Sequence, residues 1–462
     1  MKKIQIKIWS ISLLLMVMLF PSCTNDLNQS PDSGDAVSGS EFFSTPDAYK
    51  QNLAKLYAGF ATSGQQGPAG SPDISGIDEG FSQYIRGYWM MEELTTDEAV
   101  IGWNDGTIKD FHYQTWTSLD VFIAATFARF SFQIVNTNEF LRQTTDEKLA
   151  ARGISDALKA EIKTYRAEAR FLRALTYWHL VDNFGGGSLV TEDSPSEFYY
   201  PEYATRAELY AFIDSELKAI EADLKDPKTN ELYRADKAAL WMLQAKLYMN
   251  AKVYIDEDHY ADALPILNKI IGSQYSIHSN YNELFLADND KNGAQNETIF
   301  SVAFDGLNTQ TYGGTTFLVH AAVGGSMSPS AFGINGGWGG IRTTSAFVNK
   351  FGSNNTDVRG NFYTDGQNKE IKTIGDFTDG YAIQKYKNVD KNGKQGSDST
   401  GNFCDTDFPM FRLADAYLMY AECVARGAGG SLATATTYVN ALRTRAKATT
   451  ISQGDLTLNF IL

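Results

Sequence analysis

Asp288-Asn289-Asp290-Lys291-Asn292-Gly293 sets side-chain oxygens at alternate positions ahead of a glycine. That is how a loop begins when it is to close round one hard cation. An EF-hand would end on a glutamate at position 299, where this chain has Ile299. Asp288, Asp290, Asn292 and Glu297 therefore remain candidate ligands of an irregular Ca2+ site, and a solvated polar turn is the competing reading. Catalytic chemistry has less to stand on. The chain has no HExxH, paired CxxC, G-x-S-x-G, P-loop or dinucleotide glycine fingerprint, and His112, His179, His259, His278 and His320 are scattered. A glycosidase needs only two carboxylates, and 55 acidic residues leave that possibility open. The remaining candidates are aromatic. Trp103 and Trp338 lie in glycine-rich and polar stretches, which suits surface loops, whereas Trp178 and Trp241 fall on helix faces, where core packing is the expected fate.

The N-terminus predicts where such groups operate. Met1-Lys2-Lys3, an apolar run from Ile11 to Phe20, and Leu19-Phe20-Pro21-Ser22-Cys23 read as an export signal of the bacterial lipoprotein type over residues 1–22. The apolar run is about half of what a bilayer-spanning helix needs. Cys23 becomes the lipid-bearing N-terminus on this reading, and an ordinary secretory signal with an incidental cysteine is the alternative. Residues 23–44 are mostly polar and read as a flexible leash. Two cysteines then remain, Cys404 and Cys423, too few for a disulfide framework, and Cys423 on an apolar helix face reads as a buried free thiol. Stability must come from a core, which a hydrophobic content of 43% permits. A net charge of −15 argues against a nucleic-acid partner, because phosphate binding depends on lysine and arginine.

The elements that hold these residues are mostly helical. Leu158, Ile162, Tyr165, Ala169, Leu172 and Leu175 recur at helical spacing until Gly185-Gly186-Gly187. Further amphipathic runs cover Thr205 to Leu224, Ala238 to Tyr248, Tyr260 to Ile271, Met410 to Arg426 and Ala433 to Ala446. Thr45-Pro46-Asp47 reads as another helix start, capped by the threonine. Small residues interleaved with tyrosines, as in Ala245, Tyr248, Tyr260 and Ala263, suit tetratricopeptide-like hairpins, although the strict repeat is absent. Between the helical blocks, Gly272 to Asp407 is loop-rich, with short strand-like runs at Thr298 to Phe304 and Tyr381 to Tyr386. The expected fold is mostly α: one superhelical scaffold of helical hairpins (about 45–63, 118–271 and 409–450) with a long glycine-rich insert.

Three blocks resemble the SusD/RagB family of nutrient-binding outer-membrane lipoproteins: Ala167 to Trp178 followed by Phe184-Gly185-Gly186, Arg234 to Ala239 with Ala245 to Tyr248, and Phe411 to Glu422. The resemblance runs from Cys23 to the final residue, with residues 45–462 as one domain. Against the family pattern the chain stops early at Leu462, which reads as C-terminal truncation. Further stretches are similar to the starch-binding member: Ser71-Pro72-Asp73 with Asp78-Glu79-Gly80 and Arg86, Glu93 to Glu98 before Trp103, Tyr312 to Thr316, and Asn335 to Trp338. By that resemblance Trp103, Tyr312 and Trp338 stack on sugar rings, Asp78 and Arg86 bond hydroxyls, and Asn104 is a candidate polar contact. The ligand loops fall at about 71–116 and 305–342. The starch-binding pattern has a second tryptophan where this chain has Ile101, which implies a flatter arc. The resemblance also implies a calcium near Asp288 to Glu297 and a SusC-like TonB-dependent transporter as partner.

Such residues suit a glucan because a glucose ring carries C–H groups on its faces and hydroxyls round its rim. The expected function is non-catalytic capture of starch or malto-oligosaccharides at the cell surface. The competing readings are a receptor for another polysaccharide or a peptide, a helical-repeat interaction scaffold, and a surface glycoside hydrolase.

Overall fold

A computed structural model describes residues 39–68, 70, 72–195, 197–352 and 356–462. The export signal, Cys23 and most of the leash lie outside the described residues. The leash boundary at 44 moves: Gly39–Phe42 is helical, and Phe43 is buried against Tyr49 at 5.5 Å between ring centroids.

The chain then runs through helices α1 (Ala48–Ala61) and α2 (Tyr84–Glu93), strand β1 (Ala99–Ile101), and helices α3 (Val121–Gln143), α4 (Asp156–Phe184), α5 (Arg206–Ile220), α6 (Lys237–Met249) and α7 (Tyr260–Ile271). Next come β2 (Thr298–Val302), α8 (Gly314–Ala321), β3 (Ile341–Thr343), β4 (Phe362–Tyr363), β5 (Tyr381–Ile383), β6 (Phe408–Arg412), α9 (Leu413–Ala425) and α10 (Leu432–Arg445). Consecutive helices pack as hairpins, α3 on α4, α4 on α5, α6 on α7 and α9 on α10, and α7 packs on α9 across the insert, which gives the tetratricopeptide-like superhelix. Fully buried Ala238, Ala239, Ala245, Ala263, Ala416, Ala421 and Ala435 let the helix axes approach closely. Buried tyrosines fill the space between and bring their hydroxyls to acceptors: Tyr248 donates to Asp214 at 2.7 Å and Tyr254 to Asp182 at 2.6 Å.

Helix ends follow local chemistry. Thr205 and Glu208 form a capping box on α5, Asp236 accepts from two backbone N–H groups at the start of α6, and Gly185 ends α4 at φ 73°. Two boundaries differ from the sequence reading. The cap residue of α1 is Asp47 rather than Thr45, and its side chain makes no capping bond. The run read as one helix from Met410 begins as strand β6, because its backbone pairs antiparallel with β2 before the helix can start at Leu413.

Buried ions cross-link the helices. Glu168, fully buried on α4, accepts from Arg234 Nε and Nη2 (3.0 and 2.6 Å) and from the Tyr57 hydroxyl (2.7 Å). Arg173 reaches Glu216 on α5 at 2.6 Å and Glu192 at 2.5 Å. Cys404 and Cys423 are buried and unpaired, and burial pushes the Cys423 thiol up to about 12.

The insert builds a second layer. β1, β3, β5 and β4 form an antiparallel sheet in that spatial order, over a separate apolar cluster of Met90, Leu94, Ile101, Phe111, Phe122, Phe317 and Ile341. Two helices stand where the sequence reads as loops: α2 within 71–116 and α8 within 305–342.

At the α2–α4 contact, Glu92 accepts from Asn183 Nδ2 at 3.0 Å and shares a hydrogen bond with Asp182. Burial first, then the charge of Asp182, pushes the Glu92 carboxyl up to about 7. The folded state therefore keeps a proton that the unfolded chain releases, and this contribution to stability falls as pH rises from about 4.5 to about 7. Urea unfolding at pH 5 and pH 7.5 is expected to show a smaller loss for Glu92→Gln than for the wild type, since glutamine keeps the hydrogen bonds and carries no charge.

Candidate functional site

Strand pairing brings the two loop tryptophans together. In the β1–β3 ladder Ile101 lies opposite Ile341, and the pairing is continued by Gly102 N–H donating to Gly340 O at 3.1 Å. Trp103 thus emerges beside the 338–340 turn, and its Nε1–H donates to the Trp338 carbonyl at 3.0 Å. Gly340 has to be bare, because a Cβ there would stand 2.5 Å from the Trp103 ring. Trp338 stacks on buried His320 (4.7 Å, 23°) and donates its backbone N–H to the His320 carbonyl at 2.7 Å.

The third ring comes from the approach to α8. Tyr312, 39% exposed, lies 6.3 Å from Trp338 at 61°, and Trp103 lies 6.2 Å from Trp338 at 51°. The three aromatic residues named from the sequence converge on one patch, with Trp338 in the middle. The rings are tilted against each other, so they form an arc rather than a flat row. Asp78, Arg86, Trp103 and Trp338, with Phe81, Asp105, Gly106, Val121 and Phe122, line one open cleft of about 610 Å³.

Arg86 lines the cleft and also braces it. Its guanidinium packs over Phe317 (4.6 Å) and Trp103 (5.7 Å), and Nη1 donates to the Tyr312 carbonyl at 3.2 Å. It ties the Tyr312 arm to the Trp103 arm as well as bordering the cleft. Burial lowers its pKa to about 10 against the pull of Asp78 and Asp105, which leaves it charged at neutral pH. Asp78 borders the cleft while its Oδ1 accepts from Gly80 and Phe81 N–H (2.8 and 3.1 Å), fixing the turn into α2. Asn104 is exposed, does not line the cleft, and accepts from Lys109 Nζ at 2.6 Å. Ser71, quoted with the Asp73 block, lies outside the described residues.

One residue the sequence reading missed holds the arrangement together. Gln83, 1% exposed, donates Nε2–H to the carbonyls of Phe60 (2.6 Å) and Ala61 (3.1 Å) at the end of α1. Its Oε1 accepts from Arg86 N–H and Gly314 N–H, both at 2.8 Å, at the starts of α2 and α8. A single glutamine among polar neighbours gives no sequence signal of this; only the meeting of three helix ends does.

The four candidate calcium ligands do not assemble. Among the described residues no group of three or more His, Cys, Asp or Glu side chains is placed to hold a metal ion. Glu297 is fully buried and held by Arg412 (3.0 Å) and Arg445 (2.5 Å), with His278 N–H at 2.8 Å. Asp288 accepts from Asn292 Nδ2 at 3.0 Å, and Asn292 Oδ1 accepts from Ala294 N–H, so both serve the turn itself. Asp290 lines a pocket together with Asn289, Tyr233 and Asp407. The spacing is that of a calcium loop, but the closing carboxylate is spent on two arginines.

The helical scaffold matches SusD superfamily structures. One from Parabacteroides distasonis aligns with a TM-score of 0.67 at 21% identity, covering 89% of this chain and 84% of that one. Surface glycan-binding protein A of Bacteroides thetaiotaomicron, in complex with laminarihexaose, aligns with a TM-score of 0.65 at 19% identity, covering 90% and 85%. The SusD family profile matches residues 353–462. The starch-binding protein SusD of Bacteroides thetaiotaomicron is 36% identical over 475 aligned residues, 93% of this chain and 81% of that protein. The chain belongs to the SusD family.

Two variants test this description. Gln83→Ala strands buried groups at three helix ends and is expected to cost at least about 2 kcal/mol of stability in urea unfolding. Glu297→Gln leaves Arg412 and Arg445 facing a neutral group and is expected to cost about 3–5 kcal/mol, equally in calcium and in chelator.

Proposed function

We propose that the protein is a non-catalytic, lipid-anchored receptor that captures starch or malto-oligosaccharides on the Trp103–Trp338–Tyr312 patch and the cleft beside it. It would pass them to a SusC-like TonB-dependent transporter in the outer membrane. The observation that carries the reading is the convergence of three rings from separate parts of the chain on one open surface. Their mutual tilts of 51° and 61° suit a curved chain better than an extended one. The 36% identity to a starch-binding protein supports the same ligand class. The Cys23 signal supplies the anchor, and among the described residues no helix is long and apolar enough to cross a membrane.

Indole and phenol faces meet the C–H faces of the sugar with little entropy loss, while Arg86 and Asp78 at the cleft wall offer a charged donor and acceptor to its hydroxyls. Contacts of this kind give affinities of about 1 mM to 1 μM, or about 4–8 kcal/mol. A protein that must release its ligand to a transporter needs that reversibility.

Affinity electrophoresis in gels containing starch, pullulan, inulin or xylan tests the reading. Retardation is expected in starch and pullulan, and Trp338→Ala is expected to abolish it. Retardation in inulin or xylan alone would move the ligand to another polysaccharide. Release of reducing sugar over hours by the wild type would make it a hydrolase.

A further inference from the structure

The cleft is not where the exposed apolar surface ends. Val121 and Phe122, at the start of α3, border the cleft alongside Trp103 and Trp338. The approach to them exposes Tyr113 (54%), Trp116 (43%) and Leu119 (86%), and Val121 itself is 47% exposed. Four large apolar side chains exposed within so short a segment mark a contact surface rather than a chance of composition.

This segment is held in place. Gln114 takes a left-handed conformation (φ 54°) and donates Nε2–H to the Thr95 carbonyl at 3.2 Å. Thr115 returns to Asp110 twice, through its N–H to the backbone carbonyl (3.1 Å) and its hydroxyl to the carboxylate (3.0 Å). Asp120 accepts from Phe122 and Ile123 N–H (2.9 and 3.0 Å), which locks the entry into α3. A ledge already ordered costs a ligand little to engage. It joins the cleft directly, since a Cβ on Gly106 in the cleft wall would lie 3.5 Å from Val121 Cγ2.

We propose that this ledge, centred on Trp116, is an auxiliary subsite for the sugar residues of an α-glucan chain that runs out of the cleft across Val121. The proposal rests on the reading of the cleft as a glucan platform, and it makes the protein a receptor that favours polymer over short oligosaccharide. The chemistry fits a neutral sugar: an indole face and a leucine offer apolar cover to C–H groups, and exposed Asp105 in the cleft wall supplies a polar partner. The short ligand fills the cleft alone. The long one reaches both surfaces, and its affinity gains from each.

Isothermal titration of the full chain with maltotriose and with a soluble amylose fraction separates the two surfaces. Trp116→Ala is expected to leave the maltotriose affinity unchanged and to weaken amylose binding about three- to tenfold, the usual scale of one aromatic contact. Trp338→Ala is expected to remove binding of both. Unchanged amylose affinity in Trp116→Ala overturns the ledge as a glucan subsite and leaves a protein partner as its occupant. Equal weakening for both lengths overturns it as well, since Trp116 would then be acting on the cleft. If the wild type binds neither ligand, or Trp338→Ala keeps binding both, the platform reading itself fails, and that result is visible without the Trp116 variant. Trp116 is a surface side chain, so an unchanged thermal midpoint is expected and excludes misfolding as the cause of a loss.

Discussion

The side-chain amide of Gln83 is the joint on which the binding layer hangs. Its two donors hold the last carbonyls of α1, and its oxygen holds the first N–H groups of α2 and α8. Each of those groups is one that a helix end leaves without a partner, and all but the half-buried Arg86 N–H are buried. The amide satisfies them together and in doing so fixes three helix ends at one point. α2 then presents Arg86, α8 presents Tyr312 from the residues just ahead of it, and Arg86 links Tyr312 to Trp103. Gly313 has no side chain at this crossing because a Cβ there would stand 2.2 Å from Gln83 Cβ. The direction of the cleft therefore depends on polar chemistry, and its floor on the apolar cluster round Phe317 and Ile341.

The scaffold beneath is built by a different device. The blocks that resemble the family are where the helices are pinned by charge. Glu168 in the first block meets Arg234 in the second at 2.6 Å, and Asp415 in the third meets Lys246 of the second at 2.5 Å. Glu168 is fully buried, so removing Arg234 would leave an uncompensated buried charge, whereas the Lys246–Asp415 pair is partly exposed and contributes less. The two pairs give the superhelix its register, while the alanines set its helix spacing. None of these residues lines the cleft, so the scaffold and the ligand layer are under separate physical demands.

That separation explains what could be read from the sequence. The long amphipathic runs show as periodicity, and α4, α5, α6, α7 and α10 stand close to where the pattern puts them. Trp178 and Trp241 are separable from Trp103 and Trp338 by their surroundings, helix face against glycine-rich loop; the structure buries Trp178, packs half-buried Trp241 against the helical core, and places Trp103 and Trp338 at the cleft. α8 was hidden because it begins at Gly314, where a positive φ (52°) precedes a fully buried run with no polar face to mark a period. The start of α9 was misplaced because strand β6 takes its pairing from β2, over a hundred residues away, a contact that no local pattern contains. The arginine partners of Glu297 were hidden for the same reason. The spacing of Glu297 from Asp288 is local information, while Arg412 and Arg445 come from the far end of the chain.

The division of labour also bears on ligand range. Structures with TM-scores of 0.64 to 0.67 to this chain share only 16–21% of its residues. A fold maintained by helix spacing and a few buried ion pairs tolerates that drift. The cleft asks for more particular residues: two tryptophans related by one strand register, a bare Gly340 beneath one ring, His320 beneath the other, and a tyrosine held from behind by arginine. Moving a single strand by one residue would turn Trp103 to the opposite face of the sheet and open the arc. Curvature of the aromatic surface is therefore set by β1–β3 pairing and by Gln83 rather than by the aromatic residues themselves, and a change of ligand shape within this architecture would have to begin there.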